Sequence, residues 1–248
     1  MVKILNSTYV KTYLQQVAAN ADQLVAKDRT QLLSLLQDFE DFSDGTLGDW
    51  DTEPFNLDFN TDSKPFNCKY YPFPKIKKET FQKELQRLLK IGVLTWVQQS
   101  KYGPSVFIIP NKEGTVIFIM DYHRLNQKLV IKTYTLPRIG KTMQKLEGLQ
   151  HANILDLNMG DYTIKLLPAS QDTMTIDTEF GKIKYNFLPM GICALGYIFQ
   201  AKVDNLLGEN EGVKTYIDAL LVLSKEKLSK HINQLRIIFG RLHAAVLK

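Results

Sequence analysis

Two stretches of the chain have the composition of buried β-strands, and each is interrupted by a single aspartate: Asp156 in ANILDLNMG and Asp218 in KTYIDALLVL. Short apolar runs bounded by turn-forming residues read as strands. A carboxylate at the end of a buried strand costs several kcal/mol unless it is paired, metal-bound or hydrated. The chain must therefore fold so that both aspartates escape the core. Either they meet at a metal ion, or each sits at a strand end or hairpin turn, exposed to water and capping backbone amides. The residues alone leave both readings open, and the turn is the commoner outcome for so short a pattern.

The surrounding punctuation predicts alternating helices and strands. Residues 29–42 carry Leu32, Leu33, Leu35, Leu36, Phe39 and Phe42 at near-helical spacing, with Asp28 as the expected N-cap. From Ser43 to Pro74 the composition turns to Asp, Gly, Asn and Pro with scattered aromatics, which predicts an extended surface connector. Lys78–Ile91 returns to helical spacing and stops at Gly92. Ser105–Ile109 and Thr115–Met120 read as a hairpin whose loop contains Lys112. Leu136–Leu149 reads as a helix with Pro137 in its first turn, and Ala152–Leu157 as a strand. Ile176–Leu188 reads as a hairpin turning near Gly181, Ile192–Leu207 as a helix, Thr215–Leu223 as a hairpin around Asp218, and His231–Leu247 as a final helix.

Composition narrows the functional classes. At 248 residues and 44% hydrophobic the chain is long enough for a sizeable core, and 31 basic against 26 acidic residues give a net charge of +5, which favours polyanionic partners without demanding them. Two cysteines, Cys68 and Cys193, are too few and too far apart for a disulfide framework or a thiolate zinc site. No apolar run approaches the length of a signal core or a membrane span, so an intracellular, cytoplasmic or nuclear protein without membrane contact is expected.

Seven segments in order carry a family resemblance: DGTLGDWDTEP, KPFNCKYYPFPKI, KEGTVIFIMDYHRLN, YTLPRIGKTMQKLEGLQHANILDLNMG, GKIKYNFLPMGI, IFQAKV and TYIDALL. Through them residues 45–248 resemble the reverse transcriptases of gypsy-type long-terminal-repeat retrotransposons, and Leu32–Phe42 resembles the linker that precedes that domain in the polyprotein. The resemblance implies an α+β fold: the fingers and palm of a right-hand polymerase, with an antiparallel palm sheet packed on helices. Residues 1–44 would form an N-terminal helical extension, 45–72 an extended connector, and 73–248 the fingers (about 73–150, broken into by the palm) and palm (about 151–248). The chain stops at Lys248 where the resemblance would continue into a primer-gripping hairpin and a thumb, so a thumb is expected to be absent.

The activity implied is RNA-directed DNA synthesis on an RNA template paired to an RNA-DNA or DNA primer duplex, using deoxynucleoside triphosphates and two magnesium ions, with manganese as a substitute. Asp156 matches the first metal-binding aspartate and Asp218 the first member of the second, paired motif. Lys112, Asp161, Met190 and Gly191 match nucleotide-site positions, and Arg124, Asn126 and Tyr216 nucleic-acid-binding ones.

Several departures fall in that implied site. Position 219 is Ala where the family has Asp, so YIDA replaces YIDD. Asp161 stands where an aromatic residue excludes the sugar 2′ hydroxyl, and Ile117 where an Arg clamps the triphosphate, a contact no isoleucine can make. Phe187 replaces a basic residue, Leu195 and Gly196 replace Ser-Pro, and His123 replaces Arg, with Arg124 expected on the opposite side of an extended strand. These changes predict a disabled polymerase by descent, with a non-catalytic nucleic-acid-binding remnant or a relic without function as alternatives. His151, His231 and His243 lack metal-ligand spacing, Asp172 and Asp177 read as turn carboxylates, and the basic-aromatic run from Lys64 to Lys78 reads as a connector packing its rings on the domain.

Overall fold

The computed structural model describes residues 11–60, 64–68, 75–110, 116–137, 148–157, 160–208, 210 and 212–248, excepting the side chains of 75, 76, 108–110, 116–118 and 161. Among these, eight strands occur in chain order: β1 Leu94–Val97, β2 Val106–Pro110, β3 Val116–Met120, β4 His151–Asp156, β5 Thr175–Thr178, β6 Gly181–Tyr185, β7 Val213–Tyr216 and β8 Ala219–Ser224. All their ladders are antiparallel. The predicted helix Leu136–Leu149 and Lys112 lie, wholly or mostly, outside the described residues.

The chain divides into two compact units, each built from separated segments. The unit of Met1–Asp51, Tyr134–Gly160 and Gly196–Lys248 is organised by the sheet β4-β8-β7. Along β8 burial alternates, with Leu220, Val222 and Ser224 buried, as a sheet with one covered face requires. The helix Leu228–Ala244 packs against β8 and buries Ile232, Leu235, Ile238 and Leu242 on one stripe. Truncating a side chain as deeply buried as Ile238 to alanine costs about 2–5 kcal/mol.

The N-terminal segment is joined to that same helix. Helix Ala26–Asp38 runs into a short 3-10 turn, Glu40–Ser43, and the rings of Phe39 and Phe42 meet Phe239 edge-on at 5.4 and 5.6 Å between centroids. Polar pairs flank the rings: the ion pair of Asp38 with Arg236 at 2.5 Å, and Asp41 with the His243 ring at 3.1 Å. Asp44 accepts from Lys248 at 2.6 Å, and Trp50 is buried edge-on against Phe199. The expected N-cap at Asp28 is corrected by the structure: the helix starts at Ala26, and Asp28 lies within its first turn, where its charge complements the helix dipole. The same helix ends at Asp38, so Phe39 and Phe42 lie beyond it.

The second unit, Thr52–Thr133 and Asp161–Leu195, carries the sheet β1-β6-β5 and the β2-β3 hairpin. Helix Lys75–Lys90 buries Phe81, Leu85 and Leu88, spaced i, i+4, i+7. It stops where predicted: Gly92 adopts φ +78°, and Val93 N–H donates to Leu88 O at 3.0 Å. The described part of the connector here is extended and docks through isolated bridges, Phe55 with Leu166 and Phe59 with Leu129. The extended strand expected at His123 and Arg124 is instead a helical turn, His123–Asn126. The Asp121 carboxylate, accepting from the His123 N–H at 3.1 Å, starts it.

No helix among the described residues is long and apolar enough to cross a membrane. In the first unit, β4 and the helix Leu228–Ala244 bring two histidines together. His231 is 1% exposed, its Nε2–H donates to Asn153 Oδ1 at 2.7 Å, and its ring lies 5.5 Å from that of His151. Its Nδ1 has no hydrogen-bond partner among the described residues. Burial, and then the neighbouring His151, hold its pKa below the ordinary value. The unfolded chain therefore takes up a proton that the folded chain resists. Stability is full above the unfolded value of about 6.5 and is lost as pH falls from there through the lower folded value. The melting temperature is expected to drop between pH 8 and pH 5, and His231→Gln is expected to flatten that slope. An equally steep slope in the variant would assign the pH dependence to other groups.

Candidate functional site

The register of the first unit's sheet decides where its acidic residues stand. Asp156, the last residue of β4, is paired across the ladder with Ala219, the first residue of β8, and Ala219 is paired in turn with Tyr216 at the end of β7. Paired residues share a face, so Asp156, Ala219 and Tyr216 point the same way. Ile154 and Leu221 follow on that face one pleat further back. Between Tyr216 and Ala219 lie only Ile217 and Asp218, a two-residue hairpin turn. Leu157 N–H donates to the backbone oxygen of Asp218 at 3.1 Å, which stitches the turn to the end of β4.

Both aspartates are exposed, as the sequence demanded, and they are also brought together. The Asp156 carboxyl is held above the usual carboxylate range by partial burial first and by the charge of Asp218 second. Gly160 fits closely behind them: a Cβ there would stand 3.3 Å from the Phe199 ring and 3.5 Å from Cβ of Asp218.

Sequence reasoning missed Gln200. It lies fully buried in the helix Leu195–Leu207, and its Oε1 accepts from the N–H of Ile217 at 2.8 Å. The available signal was one amide inside the apolar stretch YIFQAKV, since a buried polar side chain must have partners.

The remaining predicted residues lie in the second unit. Met190 is half-buried and Gly191 exposed. Gly191 has φ +93°, and a Cβ would meet the Tyr122 ring at 3.4 Å, so the loop requires glycine. Asn126 holds that loop with both ends of its amide: Nδ2 donates to Gly191 O at 2.8 Å and Oδ1 accepts from Cys193 N–H at 3.0 Å. Arg124 is exposed, its guanidinium 6.0 Å from the centre of the Phe66 ring, with the Lys128 ammonium 5.2 Å from the same ring. Asp161 lies in the 3-10 turn Gly160–Tyr162, and Ile117 pairs with Ile109 across the β2-β3 ladder. Asp172 and Asp177 pair with Lys184 and Lys182, each at 3.0 Å.

Asp156 and Asp218 are hard oxygen donors of the kind magnesium takes, and magnesium is commonly held by one or two carboxylates together with substrate phosphates. Their donor set fits one such ion. Among the described residues no group of three or more His, Cys, Asp or Glu side chains converges as a metal site, and Ala219 stands directly across the ladder from Asp156.

No family model matches the chain. It is 28% identical over 249 residues to the retrovirus-related Pol polyprotein from transposon opus of Drosophila melanogaster, covering 95% of this chain and 25% of that polyprotein. It is 26% identical over 195 residues to the transposon Tf2-3 polyprotein of Schizosaccharomyces pombe, covering 78% of this chain and 14% of that one. The chain thus spans a quarter or less of the length of these curated relatives. The foamy viral protease-reverse transcriptase in complex with an RNA/DNA hybrid superposes with a TM-score of 0.84 at 22% identity, over 98% of this chain and 33% of that one. The same enzyme in complex with double-stranded DNA gives 0.83 at 22% identity, over 98% of this chain and 52% of that one. The chain is thus related in sequence to retrotransposon polyproteins and shares the fold of the foamy viral protease-reverse transcriptase over nearly its whole length.

The facing carboxylates yield a prediction of their own. A carboxyl whose folded pKa is raised destabilises the fold above that pKa and has no effect below the unfolded value of about 3.9, where it is protonated in both states. Asp156→Asn is therefore expected to raise the melting temperature at pH 7, with the gap from wild type closing as pH approaches 4. A fall at pH 7 would mean that Asp156 is held by favourable partners rather than opposed by Asp218.

Proposed function

We propose that this chain is the reverse-transcriptase domain of a gypsy-type retrotransposon, an RNA-directed DNA polymerase by descent whose own site no longer supports DNA synthesis. The observation that carries this reading is the convergence of Asp156 and Asp218 at one end of the β4-β8-β7 sheet, with Ala219 directly across from Asp156. We read the unit bearing that sheet as the palm and the unit bearing the β2-β3 hairpin as the fingers. The structural neighbours complexed with double-stranded DNA and with RNA/DNA hybrid support a nucleic-acid duplex as partner, and the net charge of +5 agrees with it.

The reaction joins the primer 3′ oxygen to the α-phosphorus of a deoxynucleoside triphosphate and releases pyrophosphate. Magnesium, or manganese in its place, would be held by Asp156 and Asp218, and when bound supplies Lewis acidity toward the hydroxyl and the phosphates. Ala219 contributes no ligand. By the resemblance, Asp161 falls at a nucleotide-site position where a negative charge opposes a triphosphate, and Ile117 at one where it has no donor to offer the phosphates. Met190 and Gly191 are assigned to the base of the incoming nucleotide and Lys112 to its phosphates. Arg124, beside Phe66, is assigned with Tyr216 and Asn126 to the template-primer; Asn126 acts there by shaping the Gly191 loop that its amide holds.

Primer extension on an RNA template, with magnesium or manganese, tests the reading. Wild type is expected to be silent, and the triple variant Ala219→Asp, Asp161→Tyr, Ile117→Arg to extend primer at least about 100-fold faster. Incorporation by wild type would overturn the claim of a disabled site. Silence from both, with duplex binding that weakens steeply as salt rises, would favour the non-catalytic binding remnant instead.

A further inference from the structure

We infer that Gln200 is the positioning residue of this site: its buried side-chain amide clamps the turn that carries Asp218 in a strained backbone conformation. The functional consequence rests on the polymerase reading; the clamp itself does not. Ile217, the first residue of the two-residue turn, has φ +55°, in the left-handed region that such turns normally give to Gly, Asn or Asp. For a β-branched residue this is an outlier, and it persists only where the surroundings over-determine it.

Gln200 and its neighbours provide that determination. Its Nε2 donates to Asp204 Oδ1, one helical turn on, at 2.9 Å, and to Thr215 Oγ1 at 2.6 Å. The Thr215 hydroxyl in turn donates to Asp204 Oδ1 at 2.5 Å. Asp204 Oδ1 accepts from both the amide and the hydroxyl, which sets the NH2 end of the amide toward Asp204. The Oε1 end is thereby left facing the N–H of Ile217, the one orientation that completes the set. The Ile217 side chain lies by the first turn of that helix, at Gly196, where a Cβ would come 3.7 Å from Ile217 Cδ1. With Leu157 N–H bonded to Asp218 O on the other side, the turn is fixed from both flanks. Gln200 touches neither carboxylate, so it acts through the backbone, holding Asp218 beside Asp156 before any ligand arrives.

Amide hydrogen exchange by NMR on the intact chain, joined to a double-mutant cycle, tests the clamp. In wild type the Ile217 amide is expected to exchange slowly despite its place in an exposed turn. In Gln200→Met, which keeps the bulk and removes the amide, Ile217 is expected to exchange at least about tenfold faster while Leu220 and Val222 do not change. Ile217→Gly, free of the left-handed penalty, is expected to melt higher than wild type and to lose less from Gln200→Met than wild type does. Equal losses in both backgrounds, or an Ile217 amide indifferent to Gln200→Met, would make Gln200 an ordinary core residue and overturn the inference. If Gln200→Met does not fold, the Ile217→Gly variant decides alone, since a lower melting temperature there removes the strain. In the triple-restored chain, Gln200→Met is expected to lower kcat and leave duplex affinity unchanged. Should the restored chain be silent, the polymerase reading fails while the exchange data still judge the clamp.

Discussion

Everything at the candidate site depends on the pairing of β4 with β8 in a single register. With Asp156 opposite Ala219, the first carboxylate stands at the open end of the sheet and the second falls in the turn beside it. Because side chains alternate along a strand, a slip of one residue would turn Asp156 toward the covered face and bring Leu155 outward. The cost of burying that charge is what selects the register. The feature that makes the two strands look chemically awkward, an aspartate in an apolar run, is the same feature that aligns them.

The support for that sheet comes from far along the chain. The helix Leu228–Ala244 packs against β8 and is itself covered by Phe39 and Phe42, with Asp38 and Asp41 paired to Arg236 and His243 around the aromatic contact. Such exposed polar pairs contribute little each, and the apolar contact dominates. Position 39 thus reaches the helix behind β8, and the first fifty residues are part of the unit that holds both aspartates.

How much of this was legible follows from whether the signal is local. The Asp218 hairpin, the stop at Gly92 and the turn near Gly181 could be read because each depends on a few adjacent residues. The start of the helix at Ala26 was misread because Asp28 suits a first turn as well as a cap. The His151–His231 contact and the Gln200 set were not legible, since their partners are 80 and 15 or 17 residues apart and no periodicity links them. Asn126 was read as facing nucleic acid, yet its amide is occupied by the Gly191–Cys193 loop; sequence carries the presence of an amide but not its bonding partners. The family resemblance supplied what periodicity did not, the expectation that Asp156 and Asp218 lie near each other.

On the proposed reading, an intact sheet and alanine at position 219 are physically compatible. Burial first and the charge of Asp218 second already disfavour the ionised Asp156 carboxyl, and a third carboxylate at position 219 would stand on the same face directly beside it. Without a bound cation that third charge adds repulsion and contributes nothing to packing. Alanine at 219 removes the repulsion, has a small apolar side chain suited to a half-buried strand position, and leaves the ladder untouched. A change from aspartate to alanine at such a position would run downhill in folding free energy, in the general direction in which activity and stability are traded. The strain at Ile217 has the opposite standing: it opposes folding, it is held in place by a buried amide, and a glycine would relieve it. On the proposed reading, the strained turn belongs to the retained scaffold and position 219 is where the site would have been simplified.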